Sequence, residues 1–184
     1  YLEMMDVAGV KIANVHPDNP RTYNKPTVMA TIVLVNPKDG SPIAIMGGTL
    51  ITALRTGAAG GIATKYLGRK NSKVLALVGT GVQARTQLMA ISRVLTLEEV
   101  KAYDISEKTL CRFVKESEEK YTIRISRCRS VEECVKDADV VSTSTPARSI
   151  IVKDEWISSG THINAIGADA PGKQELDPQI LKKS

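Results

Sequence analysis

The chain has 184 residues, 42% hydrophobic and 24% charged, enough to bury a core, which excludes a disordered tail, a collagen-like chain and a low-complexity repeat. Basic side chains number 25 against 20 acidic, a net charge of +5, but the two signs are interspersed and few aromatics accompany them, so no nucleic-acid partner is expected. The three cysteines, Cys111, Cys128 and Cys134, form no C-x-x-C pair and have no His at ligand spacing, which argues against a disulfide framework or a metal site and for reduced thiols in the cytoplasm.

The opening Tyr1-Leu2-Glu3-Met4-Met5-Asp6 carries acids where a signal peptide carries bases, and reads as the start of an internal piece of a longer protein. Apolar runs at Val7–Val15, Thr27–Val35 and Ile43–Met46 predict three strands. Between the last two, Asn36-Pro37-Lys38-Asp39-Gly40-Ser41-Pro42 is dense in turn formers, with Gly40 able to take a positive φ, so a hairpin is expected. Residues 1–48 hold four basic and four acidic side chains, which places the whole net charge on 49–184 and marks a boundary. The longest uncharged stretch, Gly40–Leu54, is broken by Pro and Gly and too short to span a membrane.

From residue 49 helical and strand-like segments alternate. A helix Thr49–Leu67 precedes strand Lys73–Val78, helix Val82–Leu95, strand Val100–Tyr103, helix Glu107–Tyr121 and strand Thr122–Ser126. A short helix Val131–Lys136, strand Asp139–Ser142, helix Lys153–Ser158, strand His162–Ile166 and a helix from Pro178 complete the series. Repeated βα units with right-handed crossovers predict an α/β fold, a Rossmann-type doubly wound parallel sheet over 49–184, cut short where a sixth strand is expected.

Strand Lys73–Val78 runs into Gly79-Thr80-Gly81-Val82-Gln83-Ala84, which is G-x-G-x-x-A at a strand-to-helix junction. Gly79 suits the tight turn, Gly81 lets backbone approach a diphosphate, and Ala84 keeps helix and strand close, with the helix N-terminus offering N–H groups to the anion. Asp104 follows the next strand at ribose-binding distance in sequence, favouring NAD; NADP is the lesser alternative, because neither Ile105 nor Ser106 supplies an Arg for a 2′-phosphate. The competing reading is a tight βα loop and an N-cap Asp. Ser142-Thr143-Ser144-Thr145-Pro146, after another strand, either lines the nicotinamide side or forms a plain ST-turn.

Arg55 is the one charge in Thr49–Leu67 before Lys65, and Lys11 the one base in Val7–Val15; each either binds an anion or snorkels to the surface. Gly57, Gly60 and Gly61 lower helix propensity and point to close approach by another backbone or a ligand. Asp169, in the loop Gly167–Lys173 at the carboxyl edge of the sheet, is either a general base or a loop-ordering Asx turn. His16 and His162 read as structural.

Three segments together, T-A-L-R-T-G-A-A-G-G-I-A-T-K-Y-L, V-G-T-G-V-Q-A and H-I-N-A-I-G-A-D-A-P-G-K-Q-E-L-D, resemble the ornithine cyclodeaminase/mu-crystallin family. I-G-A-D-A-P-G-K-Q-E-L and K-I-A-N-V-H-P-D-N-P are most similar to its archaeal-type alanine dehydrogenase branch. The resemblance implies that residues 1–48 are part of a smaller α+β substrate-binding and dimerisation domain and 49–184 an NAD-binding domain. It implies NAD-dependent oxidative deamination of a small L-amino acid, alanine to pyruvate and ammonia, with cyclodeamination of ornithine to proline, ketimine reduction and ligand binding without turnover as alternatives. Lys11 and Arg55 would hold the substrate carboxylate, with Lys11 and Asp169 catalytic and Asp169 positioning the amine or the attacking water. Thr56, Gly79, Thr80, Gly81, Val82, Gln83, Ala84, Asp104, Ser144, Thr145, Ile166 and Gly167 would contact the cofactor. Family chains extend at both ends, contribute a further basic substrate-binding residue upstream, and form homodimers.

Overall fold

A computed structural model describes residues 1 and 6–183, which fall into two compact units, Tyr1–Arg55 and Thr56–Ser184. The first holds β1 (Ala8–Val15), a single helical turn α1 (Asn19–Thr22), β2 (Val28–Val35), β3 (Pro42–Gly47) and the start of α2 (Thr49–Leu67). Strand β2 lies between β1 and β3, antiparallel to both. The hairpin closes as the turn residues dictate: Gly40 takes φ +75° and its N–H donates to the Asn36 carbonyl at 2.8 Å, while Asn36 Oδ1 accepts from the Lys38 N–H. Among β1–β3 only Ala30 is buried, and Ile12 and Ile45 are exposed by 52% and 73%. Turn α1 was not expected; Pro20 in its first turn permits it.

The second unit is built on a five-stranded parallel sheet of order β6-β5-β4-β7-β9, made by β4 (Val74–Val78), β5 (Glu99–Tyr103), β6 (Arg124–Arg127), β7 (Val140–Thr143) and β9 (His162–Ala165). This is the doubly wound order, with the chain reversing direction across the sheet between β4 and β7. Side chains of β4 alternate: Leu75 and Leu77 pack with Leu88, Ile91 and Phe113 from α3 (Val82–Ile91) and α4 (Glu107–Lys120), whereas Ala76 and Val78 pack with Cys134, Val135 and Ile180 from α5 (Val131–Val135) and α6 (Pro178–Lys182). Helix α4 starts at Ser106, whose hydroxyl caps the Thr109 N–H, and buries Leu110, Phe113, Val114 and Ser117 along one stripe.

Three expectations are corrected. Helix α3 stops at Ile91 instead of Leu95, because the Arg93 and Val94 N–H groups bond three residues back and the chain tightens towards β5. The helix expected at Lys153–Ser158 is a 3₁₀ turn at Asp154–Trp156, too short to nucleate an α-helix before Ser-Ser-Gly. Two short strands were missed, β8 (Arg148–Val152) and β10 (Gln174–Leu176), which pair in parallel as a separate ribbon. The small residues of α2 find their reason in α3: a Cβ at Gly57 would fall 2.5 Å from the Thr86 carbonyl oxygen, and one at Gly61 2.8 Å from Ala90 Cβ, so it is a neighbouring helix that approaches closely. Among the described residues no helix is long and apolar enough to cross a membrane.

Candidate functional site

Parallel strands deliver the loops after β4, β5, β7 and β9 to one edge of the sheet, where open α/β folds bind ligands. The loop after β4 is anchored from both sides. Gly79 takes φ +87°, its N–H donates to the Tyr103 carbonyl at 2.8 Å, and a Cβ there would meet the Ser144 carbonyl oxygen at 2.9 Å. Only glycine meets both demands. Thr80 is fully buried, and its N–H and hydroxyl both donate to Asp104 Oδ2, at 2.8 and 2.9 Å. Arg85, over the Phe113 ring and paired with Glu116, donates from Nη1 to the carbonyls of Thr80 and Gly81 at 2.7 and 3.0 Å. With those carbonyls tied down, the loop presents its remaining N–H groups at the head of α3.

Gly81 differs from Gly79. It is the N-cap of α3 with φ −73° and ψ −160°, ordinary for any residue, and a Cβ built on it meets nothing within 4 Å. Helix α3 has no capping side chain and no acid in its first turn, so the Val82 and Gln83 N–H groups lack intrahelical partners and the dipole faces the open space. Ala84 is fully buried against β4, as close helix–strand packing requires. An anionic diphosphate fits this cradle on geometry and charge alike.

Asp104 is not the N-cap of α4, a place Ser106 takes; its Oδ1 accepts the Ser106 N–H at 2.8 Å. One carboxylate thereby fixes two loops and keeps a lone pair on Oδ1 for a hydroxyl. Beside it opens a cleft of about 540 Å³ whose charged walls are Asp104, Glu107, Arg127 and Arg129. Arg127 ends β6 and Arg129 follows it, both distant in sequence from Asp104. Cys128, between them in sequence, is buried, yet the neighbouring Cys134 holds its thiol below the usual range. All three cysteines are free.

The loops after β7 and β9 are joined by Glu175 of β10, a carboxylate only 1% exposed that the sequence did not single out. Its Oε1 accepts from the Thr145 N–H and hydroxyl, both at 2.7 Å, and its Oε2 accepts from the Thr143 hydroxyl and the Gly167 N–H, both at 2.8 Å. A Cβ at Gly167 would lie 2.2 Å from the Thr145 carbonyl oxygen. Ser144 donates its hydroxyl to the Gly79 carbonyl at 3.2 Å, and the Ile166 N–H donates to the Thr143 carbonyl at 2.9 Å. Gly79, Ser144, Thr145, Ile166 and Gly167 are therefore held in one hydrogen-bonded edge. The signal for Glu175 lay in its motif, K-Q-E-L-D, but no spacing rule marks a lone Glu as buried.

Asp169 sits exposed in the loop beyond, its Oδ1 accepting from Lys173 Nζ at 2.5 Å, an ion pair in place of an Asx turn. Thr56, early in the second unit, accepts at its carbonyl from Gln87 Nε2 at 3.1 Å. In the first unit Lys11 of β1, opposite Ile32 of β2, and Arg55 on α2 are both exposed, and neither makes an ion pair among the described residues. His162 bonds Asn164 Oδ1 at 3.0 Å, and Asn164 in turn donates to Thr64 of α2 at 3.0 Å, a structural chain as expected.

The sequence matches the ornithine cyclodeaminase/mu-crystallin family over residues 1–184. It is 52% identical over 181 residues to an alanine dehydrogenase of Archaeoglobus fulgidus, covering 98% of this chain and 55% of that one. Among solved structures, an archaeal alanine dehydrogenase dimer with bound NAD superposes with a TM-score of 0.90 at 53% identity, over 98% of this chain and 55% of that chain. The Thermococcus litoralis Δ1-pyrroline-2-carboxylate reductase, in complex with NADH and L-proline, superposes with a TM-score of 0.94 at 43% identity, over 100% of this chain and 57% of that chain. The chain spans about half the length of the relatives it matches.

Proposed function

The chain belongs to the ornithine cyclodeaminase/mu-crystallin family, and on that premise we propose that the whole protein is an NAD-dependent amino-acid dehydrogenase that converts L-alanine, NAD⁺ and water to pyruvate, ammonium, NADH and a proton. The observation that carries the cofactor half is the open face of Gly81 at the uncapped head of α3, a space the chain itself does not use. Gly79, Thr80, Gly81, Val82, Gln83 and Ala84 hold the diphosphate and Asp104 the adenosine ribose. Thr145 and Gly167, fixed through Glu175, support the nicotinamide side together with Ser144 and Ile166, and Thr56 completes the contacts. NAD supplies the acceptor for the hydride that leaves the amino-acid Cα.

The other roles fall to this chain's charged groups. Lys11 and Arg55, exposed cations without ion-pair partners among the described residues, hold the α-carboxylate and so orient the Cα–H. Asp169 has Oδ1 occupied by Lys173, which leaves Oδ2 to hold the amine or to take a proton from the water that attacks the imine carbon. The protein acts as a homodimer in the cytoplasm.

A second reading, reduction of a cyclic imino acid, draws on the 43% identity to the pyrroline-2-carboxylate reductase and uses the same residues in the reverse direction. Cyclodeamination of ornithine differs only in that the substrate's own side-chain amine replaces water as the nucleophile. Following NADH absorbance with the whole protein decides among them. Steady NADH formation with L-alanine supports the dehydrogenase. NADH consumption with pyrroline-2-carboxylate and none formed from alanine replaces it with the reductase, and proline from ornithine without NADH accumulation replaces it with the cyclodeaminase.

A further inference from the structure

The cleft beside Asp104 has a charge balance that the dinucleotide reading does not require. Its charged walls are two carboxylates, Asp104 and Glu107, and two guanidiniums, Arg127 and Arg129, with Ile105 and Leu110 supplying apolar surface. Glu107, on the first turn of α4, forms an ion pair through Oε1 with Arg127 Nη2. The Arg129 side chain makes no ion pair among the described residues, its backbone N–H being bonded by Glu133. Guanidiniums are the side chains that bind phosphate with paired N–H donors, and a phosphate monoester brings close to two negative charges. Of the two guanidiniums in this cleft, Arg127 is the one engaged by a carboxylate, and that carboxylate would itself repel the phosphate.

Resting on the dinucleotide reading above, we propose that Glu107 is a specificity-determining residue that makes the chain prefer NAD to NADP by occupying Arg127 and placing a second negative charge beside Asp104. In its absence Arg127, with Arg129 beside it, receives the 2′-phosphate of NADP. The discriminating groups therefore come from the N-terminus of α4 and the end of β6. Removing one carboxylate shifts the four-charge set from neutral to a net positive charge, the sign a phosphate needs. Both members of the pair are well exposed, 67% for the Glu107 side chain and 50% for Arg127, so the substitutions leave the core untouched.

The test titrates NADPH and NADH separately into the whole protein, reading the gain in nicotinamide fluorescence at low ionic strength. It compares the unsubstituted protein with Glu107→Gln and with Glu107→Gln combined with Arg127→Ala. The expected result is at least a tenfold fall in the ratio of the NADPH Kd to the NADH Kd in Glu107→Gln, diminished by added salt and reversed in the double variant. A surface pair that merely holds α4 to β6 would change thermal stability and leave that ratio alone. A ratio within threefold of the original, with NADH still binding, overturns the role of Glu107 and leaves the dinucleotide site standing. A gain that survives Arg127→Ala overturns the role of Arg127. If the unsubstituted protein binds neither dinucleotide, the cofactor reading falls and takes this inference with it.

Discussion

Replacing Gly81 separates a glycine kept for the fold from one kept for a ligand. At φ −73° and ψ −160°, with no atom within 4 Å of a built Cβ, Gly81→Ala introduces neither strain nor a clash. Reduced freedom of the unfolded chain favours alanine by about 0.4–1 kcal/mol. Loss of a tolerated N-cap residue opposes it by a similar amount, about 0.5–1 kcal/mol. The net change in stability is therefore under about 1 kcal/mol, a melting shift of no more than about 2–4 °C. The Cβ nonetheless occupies the space at the head of α3, and an NADH affinity lowered at least tenfold, about 1.4 kcal/mol, is expected for alanine, with none measurable for Gly81→Val. Gly79→Ala is the control: φ +87° costs a side chain about 1–2 kcal/mol, and the Ser144 carbonyl oxygen at 2.9 Å adds a clash with backbone. That variant loses several degrees of melting temperature before any ligand is added. Thermal unfolding and fluorescence titration on the same samples decide the matter, and unchanged NADH affinity in Gly81→Val would refute the assignment of this space to the diphosphate.

Three further outcomes are expected. Partial burial alone pushes the Asp139 carboxyl up, but N–H bonds from Lys73 and Val74 and the Arg69 guanidinium outweigh it and hold it below its ordinary 3.8. Its stabilisation is thus complete above that value and fades as pH falls through the folded-state value, so Asp139→Asn costs about 1–3 kcal/mol at pH 7 in urea unfolding; a difference that does not shrink on acidification contradicts the assignment. Glu175→Gln turns an amide NH₂ towards either the Thr145 or the Gly167 N–H, and a loss of about 1–3 kcal/mol is expected by thermal unfolding, against no change if the carboxylate is dispensable. Arg55→Ala should raise the KM for the amino acid at least tenfold in steady-state assays while NADH affinity holds; an unchanged KM returns Arg55 to a surface role.

How far the sequence foretold this structure depends on how local the determining forces are. The parallel strands and the helix Thr49–Leu67 were legible because apolar periodicity and turn residues lie within the segments themselves. The G-x-G-x-x-A loop was legible for the same reason. β8 and β10 were not, since two short strands of mixed polarity gain their identity only by pairing across a long stretch of intervening chain. Arg127 and Arg129 were not legible as neighbours of Asp104, because they lie more than twenty residues away in sequence and only the parallel pairing of β5 with β6 brings the end of the next strand beside it. A lone Asp in a loop often bonds its own backbone, but at Asp169 Lys173, four residues on, supplies an ion pair instead.

The two carboxylates that tie off the parallel sheet show why burial alone identifies neither a functional nor a structural group. Strands that end together leave N–H groups without ladder partners, and each edge satisfies them with an acid. At the amino edge Asp139 takes the Lys73 and Val74 N–H groups, remains partly in water, and has Arg69 as counter-ion. At the carboxyl edge Glu175 takes the Thr145 and Gly167 N–H groups almost wholly out of water, with no ion pair among the described residues. Burying a charge on those terms is expensive, and only the four donors from Thr143, Thr145 and Gly167 offset it. A hydrophobic replacement would strand two backbone N–H groups and free the loops after β7 and β9 from each other. The costlier acid stands at the edge where a ligand would need those loops held in one arrangement, and the cheaper one at the edge where only the strands need closing.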